Sequence, residues 1–169
     1  RTILCYIRET HGESRQMTKL AANLSMMFNE VDFLDRFEAA ANAGFKGVEY
    51  LFPYDFPAEQ IKEKLDKYDL TQVLFDFPAG DWAAGDRGCA AFPDRVGEFQ
   101  DGVGTAVEYA KVLDCDRLTV LAGKATSGVS AMKMHDTLID NMKFASEAVA
   151  GTDITVLLEA INTIDIPGY

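Results

Sequence analysis

Five short runs of strand-forming residues recur along the chain, each except the last followed by a segment with helical spacing. This alternation restricts the fold more than any other feature. The runs are KLAANL from Lys19, GVEYLF from Gly47, LTQVLFDF from Leu70, DRLTVLAG from Asp116 and DITVLLEA from Asp153. They are largely continuous in apolar residues, the pattern of strands covered on both faces in a parallel sheet. Helical faces lie between them. Phe33, Leu34, Phe37 and Ala41 mark the first, over residues 29–44, with Asn29 as N-cap and Gly44 as C-terminal stop. Ile61, Leu65 and Tyr68 stripe residues 58–68, and Phe99, Val103, Ala106, Val107, Ala110 and Leu113 stripe residues 94–113. Met134, Leu138, Met142 and Ala145 mark the fourth. Gly97, Gly102 and Gly104 weaken the third helix by about 1 kcal/mol each relative to alanine.

A strand–helix unit averages roughly 34 residues, so eight units need about 270, close to the usual length of a closed (β/α)8 TIM barrel. These residues supply about the first five strands and four helices of such a barrel. An open doubly wound sheet needs no more chain, so periodicity leaves both architectures standing. Residues 17–169 read as one domain or the N-terminal part of one. Residues 1–16, ahead of Met17, read as an appendage outside the domain, and His11 is set aside with them.

Composition removes several function classes. Twenty-seven acidic against sixteen basic side chains give a net charge of −11, which repels a phosphate backbone, so nucleic acid is not an expected partner. Cys5, Cys89 and Cys115 are odd in number and lack CxxC spacing, which suits a reducing cytoplasm rather than a disulfide framework. No apolar run approaches a membrane span. GVGTAV, from Gly102, lacks the third glycine of a dinucleotide fingerprint and falls mid-helix, so no nucleotide cofactor is expected. His135 reads as a surface or boundary histidine.

In parallel α/β folds the chemistry gathers at the C-terminal ends of the strands. The residues there are Asn23, Glu49, Asp76, Lys124 and Glu159. Oxygen donors of this kind suit a hard divalent cation such as Mg2+ or Mn2+, and the same carboxylates suit proton transfer. For Glu49 and Asp76 a structural pairing role stays equally open, and Lys124 reads first as a solvated surface residue. Glu159 stands apart because it follows the strand formers Ile154 to Leu158, where an ionised group is costly unless paired or ligated. Asp81 and Trp82 lie in the long loop after the third strand, for which two readings stand, closure over a substrate or surface structure alone.

The segments AANLSMMF, GFKGVEYLFPYDF, PAGDWAAGDRG, EFQDGV and LLEAINTIDIPGY together resemble the hydroxypyruvate isomerase family. That family belongs to the xylose-isomerase-like barrel superfamily, with the 2-oxotetronate isomerases and an endonuclease branch. The resemblance runs from about Leu20 to Tyr169 and implies the closed barrel over the open sheet. It also implies isomerisation of hydroxypyruvate to 2-hydroxy-3-oxopropanoate (tartronate semialdehyde) through an enediolate, with two glutamates carrying the protons. Glu159 corresponds to the first of them and, in relatives with a bound metal, to a ligand. The second glutamate comes from later strands, so the 169 residues alone are expected to be inactive. The alternatives are a 2-oxotetronate or related sugar isomerase or epimerase, and a non-catalytic half-barrel.

Three positions depart from the family pattern: Asp76 where relatives often carry Asn, Ala160 where many have proline, and Ile164 where a polar residue is usual. A hydroxy-oxo acid brings its own carboxylate, and Lys124, Arg87 or a metal are the candidates to receive it. A half-barrel also leaves its first and fifth strands as unpaired edges, which invites a homo-oligomer.

Overall fold

The computed structural model describes residues 18–125 and 127–169; the appendage, with His11, lies outside the described residues. Five strands and four α-helices alternate: β1 (Ala21–Asn23), α1 (Arg36–Asn42), β2 (Gly47–Tyr50), α2 (Ala58–Tyr68), β3 (Thr71–Asp76), α3 (Val96–Leu113), β4 (Arg117–Val120), α4 (Ala131–Ala148) and β5 (Thr155–Leu158). Among the described residues the five strands pair with one another in parallel, and the order in the sheet is β1-β2-β3-β4-β5. Each strand therefore sits beside its predecessor, as in a barrel. A doubly wound sheet would reverse direction at a switch point. The order thus decides between the two architectures that periodicity leaves open.

The core lies between the sheet and its helices. Val48, Phe75, Leu118 and Val120 on the strands, and Phe37, Ile61, Val103 and Leu113 on the helices, are almost completely buried. Each such large apolar side chain contributes about 1.5–3 kcal/mol by leaving water. Phe33 packs edge-on to Phe37 and Tyr50, with ring centroids 5.6 and 5.3 Å apart, and stacks on Phe56 at 5.2 Å. Gly102 is buried in α3 where an added Cβ would meet Pro78 at 3.3 Å. Close packing accounts for one of the three glycines that weaken this helix on propensity.

Two local expectations are revised. The first helix does not start at Asn29, whose side-chain amide donates to the Met26 carbonyl. A 3-10 turn at Phe33–Asp35 leads into α1 instead. The Arg36 guanidinium donates to the carbonyls of Leu24 (2.7 Å) and Val31 (3.1 Å), tying this entry to the end of β1. Secondly, β5 has no fully buried residue, and Leu158 is 49% exposed. Among the described residues β5 has a strand neighbour on one side only, β4.

Candidate active site

Strand geometry assembles the site. Side chains two apart share a sheet face, which groups Leu74 with Asp76, Thr119 with Leu121, and Leu157 with Glu159. The register aligns Asn23 with Glu49, Glu49 with Leu74, Asp76 with Thr119, and Thr119 with Leu157. All of these residues line one depression of about 670 Å3, together with Met26, Trp82 and residues of the segment after β5. Asn23, Glu49, Asp76, Trp82 and Glu159 are thus brought together.

The floor of this depression is acidic and poorly compensated. Glu49 and Asp76 are only 6% and 4% exposed. Asn23 Nδ2 donates to Glu49 Oε1 at 3.1 Å, and Asn23 Oδ1 accepts from Ser25 N at 3.0 Å. Glu49 Oε2 and Asp76 Oδ2 have no hydrogen-bond partner among the described residues. Burial pushes the Glu49 carboxyl above its ordinary range, against the Asn23 hydrogen bond, and the charge of Glu159 adds to the rise. Asp76 is pushed well above its ordinary range, first by burial and then by the charges of Glu159 and Glu49.

Glu159 is held by its backbone while its side chain stays available. Its N–H donates to the Val120 carbonyl at 3.1 Å, prolonging the β4–β5 ladder by one residue. Its own carbonyl accepts from Tyr169 Oη at 3.3 Å, and that oxygen accepts from Ala122 N at 2.8 Å. Burial raises the carboxyl above its ordinary range. This answers the cost of a charge at the end of an apolar strand: the group faces a shared depression, where protonation is made easier.

The remaining sequence candidates are arranged differently. Asp81 is exposed and shapes its own turn, Oδ1 accepting from Ala84 N at 2.9 Å. The Arg87 guanidinium lies 4.1 Å from the Trp82 ring centroid and donates to the Trp82 carbonyl. Trp82 in turn leans on Phe52 at 5.1 Å. Arg87 thus supports Trp82, and neither Arg87, Asp81 nor Lys124 is among the described residues lining the depression. The loop is anchored where Gly88 pairs with Ala122. Gly88 has φ +107°, and an added Cβ would stand 2.1 Å from the Leu121 carbonyl oxygen, so only glycine fits. Gly123, at φ +100°, then turns the chain immediately before Lys124.

Thr119, Leu157, Asn162 and Asp165 also line the depression, although the strand-end reading does not select them. Period-two alternation back from Glu159 finds Leu157; Asn162 and Asp165 carry no comparable signal. As for a metal, the unpartnered oxygens of Glu49 and Asp76 have the chemistry a hard cation takes. Yet among the described residues no three of His, Cys, Asp and Glu are grouped so as to hold one. The described residues therefore do not form a metal site by themselves. A second depression, of about 770 Å3, opens at the opposite ends of the strands, with Lys19, Lys46, Gly47, Thr71 and Arg117 in its lining. Active sites of such folds use the C-terminal ends, which favours the acidic depression.

A family model described as xylose isomerase-like TIM barrel matches residues 37–169. Hydroxypyruvate isomerase of Escherichia coli (strain K12) is 47% identical over 153 residues, covering 90% of this chain and 59% of that protein. The 2-oxo-tetronate isomerase of Cupriavidus necator is 49% identical over 153 residues, with the same coverage. The chain therefore spans 59% of the length of these curated relatives. A crystal structure described as AP endonuclease, family 2 from Brucella melitensis is 52% identical, with a TM-score of 0.85 over 88% of this chain and 57% of that chain. A D-allulose 3-epimerase from Methylomonas sp. is 19% identical with a TM-score of 0.60, covering 76% of this chain and 45% of that one. At that identity it supports the fold alone.

Proposed function

The chain belongs to the xylose isomerase-like TIM barrel family, and from that premise we propose that its protein isomerises a small hydroxy-oxo acid, hydroxypyruvate, to tartronate semialdehyde. The observation that carries this reading is the Glu159 carboxylate. It is partly desolvated, has a raised pKa and stands at the C-terminal end of β5 in a depression with two further buried carboxyls. The names of the relatives from Escherichia coli and Cupriavidus necator support the reaction class.

In this mechanism Glu159 accepts a proton from the hydroxyl-bearing carbon beside the ketone. The C–H electron pair becomes the C=C bond of an enediolate, and the ketone oxygen takes the charge. A proton then returns to the former ketone carbon, the terminal hydroxyl gives up its proton as its oxygen becomes the aldehyde, and the former ketone oxygen takes up a proton to become the product hydroxyl. A raised pKa suits Glu159 to this step, because a base is most effective when its pKa approaches the working pH. The group that returns the proton is assigned by resemblance to later strands. Glu159 is further proposed as one ligand of a divalent cation, Mg2+ or Mn2+, and no step above depends on it.

The second reading, 2-oxo-tetronate as substrate, rests on relatives with that name at similar identity. A nuclease reading, prompted by the name of the Brucella structure, meets a chain of net charge −11 and a depression whose described lining holds no Lys, Arg or His. The test is turnover by the complete protein, followed by nuclear magnetic resonance, with hydroxypyruvate and 2-oxo-tetronate offered separately. Formation of tartronate semialdehyde is expected. Turnover of 2-oxo-tetronate alone would move the assignment to the longer acid, and turnover of neither would remove the isomerase reading.

A further inference from the structure

The acidic floor also bears on how the substrate lies. Resting on the hydroxy-oxo acid reading above, we propose that Glu49 and Asp76 bind the hydroxyl end of the substrate, and that its carboxylate points away from this half of the site. Two observations meet here. The first is a pair of buried oxygens that have no hydrogen-bond partner among the described residues, Glu49 Oε2 on β2 and Asp76 Oδ2 on β3, both on residues that line the depression, although Glu49 also lines the depression at the opposite strand ends. An unpartnered buried polar atom is costly, so each is suited to a ligand that brings a hydrogen. A hydroxy-oxo acid offers only hydroxyl hydrogens for this.

The second observation is the character of the rest of the lining. Glu49, Asp76, Glu159 and Asp165 face the depression, and no described lining residue is Lys, Arg or His. A carboxylate placed against Glu49 and Asp76 would have no hydrogen to share and would meet like charge. Both cationic candidates near the rim are displaced from this lining: Arg87 lies over Trp82, and Lys124 follows the turn at Gly123. The hydroxyl reading does not depend on which of the carboxyl groups carries a proton. A carboxylate accepts from a hydroxyl, and a neutral carboxyl both accepts and donates.

This orientation agrees with the placement of the base. Putting the hydroxyl against Glu49 and Asp76 sets the carbon that bears it in the depression that Glu159 faces, and that carbon loses the proton. Asn23 fixes the geometry by holding Glu49 Oε1, which leaves Oε2 for the ligand. Asn23 is a positioning residue in this arrangement.

The test uses two acids that cannot isomerise and differ by one terminal hydroxyl, glycerate and lactate. Their binding to the complete protein is measured by calorimetry, independently of turnover. The wild type is expected to prefer glycerate by about tenfold or more, the size of one hydrogen bond to a charged group. In Glu49→Leu and Asp76→Leu the preference falls to about twofold or less, while lactate affinity stays within about threefold and so reports an intact site. Glu49→Gln and Asp76→Asn, which keep shape and an acceptor, retain part of the preference and serve if a leucine variant does not fold. Equal binding of the two acids by the wild type would overturn the proposal, as would an unchanged preference in the variants. Loss of the isomerase reading would appear separately, as absent turnover with the glycerate preference retained.

Discussion

Asp76→Asn is expected to stabilise the protein at neutral pH, and the gain should grow with pH. Asp76 is 4% exposed, its Oδ2 has no partner, and burial is the largest influence on its carboxyl, followed by the charges of Glu159 and Glu49. Folding therefore raises its pKa above the ordinary 3.8. The sign follows from proton linkage. The folded state holds this proton more tightly than the unfolded state, so its stabilising effect is full below 3.8 and is lost as pH rises through the folded value. Asparagine cannot ionise, so the advantage of the variant is smallest near pH 4 and complete above the folded pKa. A buried polar group left without a partner costs about 1–3 kcal/mol, and a charged one more. The asparagine amide bears the neutral cost as well, so the variant gains only the excess cost of the charge, about 1–3 kcal/mol at pH 8. At about 2–4 °C per kcal/mol for a chain of this size, the melting temperature should rise by several degrees. Urea denaturation followed by circular dichroism between pH 5 and pH 8 measures the difference. An asparagine variant less stable than wild type at pH 8, or a difference independent of pH, would refute the reasoning.

Other predictions concern the frame around the site. Gly88→Ala combines a left-handed backbone with a Cβ 2.1 Å from the Leu121 carbonyl, and should cost about 2–5 kcal/mol in urea denaturation. Phe37→Ala empties a fully buried site beside Phe33 and Tyr50; a loss of about 3–5 kcal/mol is expected in the same assay. Arg87→Ala removes the cation over Trp82. Because Trp82 is the single tryptophan of these 169 residues, their emission should shift to longer wavelength as the ring becomes more exposed to water, with a stability loss of only about 0.5–1 kcal/mol.

The fold was largely legible because its strands are short apolar runs separated by clear helical stripes. Phe37, Ile61, Leu65, Val103 and Leu113, marked by spacing alone, are all core residues. Less legible were features set by tertiary contacts. Asn29 has the chemistry of a cap, yet Arg36 bonded to Leu24 and Val31 fixes a later helix start. The site divides in the same way. Glu49, Asp76 and Glu159 stand on regular strands, whose period settles the face they share. Lys124 and Arg87 lie past strand ends, where turns at Gly88 and Gly123 redirect the chain. No strand-end rule reports such turns. Asn162 and Asp165 reach the depression only because the last segment folds back, with Tyr169 bonded to Ala122 and Glu159.

Transfer of solvent deuterium into hydroxypyruvate by Glu159→Gln, compared with wild type in the complete protein, tests the proton-transfer role most directly. If Glu159 takes the proton from the hydroxyl-bearing carbon, exchange and isomerisation should both fall by about 10^2–10^4-fold, with circular dichroism and melting unchanged or improved. Exchange at the wild-type rate in a folded Glu159→Gln protein would contradict the account and leave Glu159 with a structural role.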